Sequence, residues 1–268
     1  MIVHEAPAMW QVVRQTDHAD LAAAFVQAWG NAEFAPPRPL ESVLVAARRH
    51  DDGWAVWERS PRVAEDGQRP LSFLEVAPSS HVAFYEAAIV DITGEDPYAG
   101  LLVAMHGAGI YRERYGAHPG LRSRQVDEFH HEIEAFVAKM EASYADRIAR
   151  LGIDEGERWA NYRLLQVVDR LSLYFSGAVR TTMGEPYVIP FAPRDYESNV
   201  VELVIHPTSE FEPLTPTRVR IEPFPFAERP ARFTLRRYLL DKREGGGAES
   251  LRSLLASREP ETIELLAE

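Results

Sequence analysis

The chain contains no cysteine and only two lysines, Lys139 and Lys242. The first absence excludes disulfides, iron–sulfur clusters and thiolate-ligated zinc. Any metal site must therefore be built from His, Asp and Glu, the harder ligands. The second makes arginine nearly the whole basic complement, which reads as base composition of the gene before phosphate recognition. Bases are also outnumbered, 29 against 41 acids, for a formal net charge of −12. Such a balance disfavours nucleic acid, whose backbone needs concentrated Lys and Arg. No apolar run reaches transmembrane length. His4 and Glu5 interrupt the opening MIVHEAPAMWQ, which does not read as a secretory leader. A cytoplasmic protein without membrane contact is the expectation. With 268 residues, 46% of them hydrophobic, the chain has material for one large domain, or one domain with an appendage.

Up to about residue 180 the pattern is helical, with short Pro/Gly-rich loops. From Gln15 to Trp29, residues Leu21, Ala22, Phe25, Val26 and Trp29 recur at helical spacing. A second helix is expected from Leu40 to Glu58, a third from His81 to Ile92, and a fourth from Pro97, favoured in a first turn, to Arg114. A long charged helix follows between Ser123 and Leu151, then another from Glu155 to Gly177. After Gly184 the texture changes. Val200–Ile205, Thr217–Ile221 and Ala231–Leu239 read as short strands punctuated by prolines, and the last eighteen residues as one or two short helices.

His18 falls on the apolar stripe of the first helix, with Ala22, Phe25 and Trp29. His50 and Asp51 fall on that of the second, in register with Val43, Ala47, Trp54 and Trp57. His81 leads the third, His106 lies among Leu102, Met105 and Gly109 on the fourth, and Asp169 follows Tyr162, Leu165 and Gln166 on the sixth. A single inward histidine is ordinarily a hydrogen-bonded core residue. Four of them on different helices, converging with two inward aspartates, point instead to a metal site. A buried carboxylate has to be paired, hydrogen-bonded or metal-bound.

The order His18, His50-Asp51, His81, His106, Asp169 resembles the HD-domain metalloenzymes, an all-helical superfamily that includes phosphohydrolases and mixed-valent di-iron oxygenases. The resemblance covers about residues 15–176. The segments HDDGWAVWE and LLVAMHGAGIY also resemble a bacterial family without an assigned activity. The resemblance implies that His18, His50, Asp51 and Asp169 hold a first metal. Asp51 would bridge to a second held by His81 and His106, as the central catalytic carboxylate. One or two divalent ions are implied (Fe, Mn, Zn, Co, Ni or Mg, with Fe or Mn favoured). Many binuclear members carry Lys three residues after the HD aspartate; here that position is Trp54, which suggests a different or less charged substrate.

Trp54, Tyr85 and Arg170 are the candidates to contact a small-molecule substrate, with Tyr111 and Arg112 beside them. His130 and His131 diverge by about 100° on a charged helix and read as a solvated face. His118 reads as a turn residue and His206 as structural. HGAG at 106–109 is not a phosphate loop, because no strand precedes it. The expected architecture is mainly α: an HD-domain-like helical core over 1–183, with a small β-containing C-terminal subdomain over 184–268 that metal binding does not need. The expected function is a metal-dependent hydrolase, acting on a phosphoester through activated water. A di-iron oxygenase acting on a small polar substrate, and a non-catalytic metal-binding sensor or interaction module, are the alternatives. An oligomer is compatible with all three.

Overall fold

The computed structural model describes residues 1–60, 62–65, 67–111, 130–179, 185–209, 216–244 and 247–268. Two strands come first, β1 (Ile2–Glu5) and β2 (Met9–Val13). The helices α1 (Gln15–Ala28), α2 (Leu40–Arg49), α3 (Ala55–Glu58), α4 (Pro78–Glu95), α5 (Pro97–Tyr111), α6 (His130–Leu151) and α7 (Glu155–Ser176) follow. Strands β3 (Tyr187–Pro193), β4 (Val200–Pro207), β5 (Arg218–Glu222) and β6 (Ala231–Asp241), helix α8 (Ala248–Ser257) and strand β7 (Glu261–Ala267) complete the chain.

The mainly α, all-helical expectation with a small β appendage is overturned. The strands form a seven-stranded mixed sheet in the order β1-β2-β6-β7-β5-β4-β3, antiparallel except where β5 meets β7, so the fold is α/β. Its strands come from both ends of the chain: Met9–Val12 on β2 pairs with Tyr238–Asp241 on β6. Segments at both ends of the chain account for the difference. IVHE and MWQVV are short but rich in β-branched and aromatic residues, which favour a pleated surface. ETIELLA, expected to be helical, buries Leu265, Leu266 and Ala267 against β6 and β5.

Helix α1 lies between the sheet and the other helices and is buried on nearly every side. Phe25 meets Phe233 of β6 edge-on at 4.6 Å, Phe226 at 5.8 Å and Phe175 of α7 at 6.0 Å. Polar contacts tie the same layers. The buried Arg237 of β6 donates to Gln11 Oε1 on β2 at 3.0 Å, and Gln11 Nε2 donates to the Ser176 carbonyl ending α7 at 3.2 Å. The opposite side of α1 carries His18 toward α2 and α7. Among the described residues, no helix is long and apolar enough to cross a membrane.

The second helix also differs. It is not continuous from 40 to 58; α2 ends at Arg49, Asp51 leaves helical geometry at φ −111°, and a 3-10 turn over Asp52–Trp54 leads into α3. Adjacent side chains on a regular helix diverge by about 100°. Breaking the helix at this point lets neighbouring His50 and Asp51 reach one centre.

Candidate metal centre

His18, His50, Asp51, His106 and Asp169 are all buried, and four elements deliver them: α1, the α2 break, α5 and α7. Asp51 is the hub. Its Oδ2 lies 2.8 Å from His18 Nε2 and 3.7 Å from His50 Nε2, and its Oδ1 accepts from the Tyr85 hydroxyl at 3.1 Å. His50 Nε2 lies 3.4 Å from Asp169 Oδ1, without hydrogen-bond geometry. The His50 ring sits between those of His18 and His106, edge-on to each at 5.1 and 5.0 Å between centroids. Ligand atoms of His18, His50 and Asp169 lie within 4.8 Å of one another.

The protein fixes the proton on the outer nitrogen of two imidazoles. His50 Nδ1 lies 2.8 Å from the Ala47 carbonyl, an acceptor, so Nδ1 carries the hydrogen. The Ser172 hydroxyl donates its one proton to the Asp169 carbonyl at 2.8 Å and therefore accepts from His18 Nδ1, also at 2.8 Å. In the neutral tautomer so defined, both Nε2 atoms present lone pairs to two carboxylates. Two lone-pair nitrogens set against carboxylates in the interior require a cation, either protons or a metal ion. The donor set of two imidazoles and two carboxylates suits a divalent first-row ion.

The electrostatics agree. Burial opposes a charge on His50, yet Asp51 and then Asp169 raise its pKa to about 9. Burial likewise opposes ionisation of Asp51, but His50, His18 and His106 hold its carboxyl below the usual range. Asp169 is held low in the same way by His50 and His106. Burial pushes His106 down to about 4, leaving it neutral. Tyr85, buried and facing both carboxylates, is pushed well above the ordinary tyrosine range.

The remaining sequence candidates are placed differently. His81 uses Nε2 to donate to the Phe73 carbonyl at 3.0 Å and packs edge-on to Trp54 at 4.7 Å. Trp54 is buried among Trp57, Phe73 and Phe84. Arg170 donates from Nε to the Tyr187 hydroxyl at 3.0 Å, so its guanidinium is directed to β3. His131 is exposed on α6. Arg112 and His118 lie outside the described residues. Sequence reasoning missed Ser172, which is fully buried. Its signal was a lone hydroxyl in the apolar run LSLYF, one turn beyond Asp169 on the same helix face.

The glycines flanking His106 serve close packing. A Cβ on Gly107 would press on the Tyr85 ring at 3.1 Å, and one on Gly109 would meet the Tyr162 hydroxyl at 1.8 Å. Two residues apart on a helix, these glycines point about 200° apart, so HGAG lets a tyrosine lie close against α5 on each of two sides.

No curated protein and no solved structure matches the chain. A family model covers residues 1–242, a span that takes in β1 through β6 and every candidate ligand. The chain belongs to the family described as "Protein of unknown function (DUF3891)".

Proposed function

We propose that this chain is a metal-dependent hydrolase of the HD-domain type, acting on a phosphoester of a small molecule. The observation that carries the reading is the pair of imidazoles with fixed outer protons, His18 and His50. Their inner nitrogens converge on Asp51 and Asp169. These four side chains would hold one divalent ion. An ion so held acidifies water and offsets negative charge on a leaving oxygen.

The chain's own groups prepare that chemistry. Tyr85 orients Asp51 through Oδ1, leaving Oδ2 toward the histidines. Ser172 fixes the tautomer and ring plane of His18, as an outer-shell partner does in metal sites. Burial keeps His106 neutral, and its Nδ1 has no partner among the described residues. The ligand atoms that converge among the described residues are those of His18, His50 and Asp169, without His81, which favours one ion over two.

The deciding experiment measures metal content after purification without added metal, then turnover of a phosphoester panel with Mn, Fe, Co, Ni, Zn or Mg, with and without oxygen. Oxygen-independent release of phosphate or alcohol supports the hydrolase. Product formation that strictly requires iron and oxygen overturns it in favour of an oxygenase. Metal-free protein indifferent to every ion overturns the centre itself.

A further inference from the structure

A second buried charge lies well away from the metal centre. Arg158 is in the first turns of α7 and only 9% exposed. Its Nε is buried without a hydrogen-bond partner among the described residues. Its ion pair there is with Glu155, 3.8 Å away on a side chain that is itself 80% exposed. Such a contact is worth little. The guanidinium otherwise lies beside the Trp159 ring, 5.2 Å from its centroid. A guanidinium this enclosed, with its Nε–H unsatisfied, is costly unless an acceptor completes it.

The same side chain lines a cavity of about 100 Å³ between α5, α6 and α7. Trp159, Tyr144 and Tyr162 form aromatic walls, and Met105 and Ala108 an apolar floor. Gly109 permits this shape, since any Cβ there would displace the Tyr162 hydroxyl that borders the space. The tyrosine hydroxyls are engaged: Tyr144 donates to the Ala104 carbonyl and Tyr162 accepts from Gln166. Arg158, which lines the cavity, carries a donor, Nε–H, without a partner among the described residues. Glu141 also borders the cavity and places a negative charge there, which opposes a dianion such as phosphate.

We propose that this cavity binds the carboxylate of a small organic acid with an apolar or flat body, held by the planar fork of Arg158 against Trp159. A guanidinium matches a carboxylate in two parallel hydrogen bonds, and the aromatic walls suit the remainder of such a ligand. Arg158 lies eleven residues before Asp169, roughly 16 Å along the helix axis. The site is thus separate from the metal centre and binds an effector rather than the reacting group. Tyr162, Gln166 and Asp169 continue from Arg158 along one face of α7 at spacings of four, four and three, joining the two places.

Calorimetry and thermal unfolding with acetate, propionate, benzoate and inorganic phosphate, at matched ionic strength, test this on the full chain. Saturable binding of at least one carboxylate with a raised midpoint is expected, and none of phosphate. Arg158→Met should weaken carboxylate binding by more than about tenfold, the loss of one charge-assisted contact. It should leave the ligand-free protein as stable as the parent or more so, because an apolar side chain replaces an unsatisfied charge. Arg158→Lys, which keeps the charge but not the fork, should also bind more weakly. No saturable carboxylate response, a response to phosphate alone, or unchanged binding by Arg158→Met would each overturn the proposal. So would an Arg158→Met protein that is destabilised or unfolded, since Arg158 would then be structural. Metal content and turnover are not read in this experiment, so its failure is distinct from failure of the hydrolase reading.

Discussion

His50 presents Nε2 to Asp169 Oδ1 at 3.4 Å while its Nδ1–H is fixed by the Ala47 carbonyl. The nitrogen that faces the carboxylates can therefore serve either a proton or an ion, and the two compete. Metal uptake at neutral pH should release protons, because Asp51 and Asp169 outweigh burial and raise the His50 pKa to about 9. Asp51→Asn and Asp169→Asn should each weaken metal binding by more than roughly the 10–100-fold typical of outer-shell changes. His81→Ala should retain the ion. Metal analysis of the three variants checks this; equal loss from His81→Ala would restore a binuclear centre.

Ser172 acts on the centre only through His18 and the Asp169 backbone. Ser172→Ala frees the imidazole to choose its tautomer and leaves a buried Nδ1–H without an acceptor. Metal affinity is expected to fall about 10–100-fold, with a stability loss of about 1–3 kcal/mol. Competition with a chromophoric chelator reads the first and urea unfolding the second. Unchanged affinity would show that His18 does not bind the ion through Nε2.

Asp17, next to His18 but directed to Arg236 at 3.6 Å, titrates in the opposite sense to the ligand carboxylates. Burial raises its pKa from 3.8 to about 6, against the pull of Arg236 and Arg14. Between those two values the folded state binds more protons than the unfolded one. Its contribution to stability therefore declines as pH rises through this window, and is constant above about 6. Asp17→Asn should remove that slope and raise stability at neutral pH relative to the parent. Urea midpoints of both proteins from about pH 4 to pH 7 give the difference; parallel curves would contradict the burial of this charge.

The centre was far more legible than the fold. Histidines 18, 50 and 106 and aspartates 51 and 169 each stand on an apolar stripe, and a charge repeated at core spacing needs a reason. The sheet gave weaker signals. β1 and β2 are four and five residues long, too short for period-two alternation to stand out. One partner of β2, β6, lies more than 220 residues later, where no local pattern points to it. The break at His50-Asp51 was hidden for another reason: apolar residues on both sides keep helical register across it. β7 was hidden because ETIELLA fits either period.

Sheet pairing changes the expectation for a shortened chain. Removing residues 184–268 would strip β6 from β2 and uncover Phe25, whose ring packs on Phe226 and Phe233. A chain ending at residue 183 should fail to give a cooperative unfolding transition or bind metal. Circular dichroism and metal analysis decide it. A folded, metal-binding fragment would show that the helices stand alone.

Gly53 tests whether the break after α2 sets the centre's geometry. A Cβ there would sit 2.1 Å from the Phe84 carbonyl oxygen and 2.6 Å from its carbon. Those are backbone atoms inside α4, so no rotamer change relieves the clash. The 3-10 turn would have to withdraw from α4, carrying Asp51 away from the hydroxyl of Tyr85, the residue after Phe84. Gly53→Ala is expected to cost about 1–3 kcal/mol, as overpacking does, and to weaken metal binding as well. Gly94→Ala, in the same helix α4 with nothing within 4 Å of the added carbon, is the control. It should stabilise by about 0.5–1 kcal/mol through helix propensity and leave metal affinity unchanged. Unfolding midpoints and chelator competition on both variants separate the effects. A Gly53→Ala protein with parental stability and affinity would mean that the turn and α4 do not hold Asp51 in place.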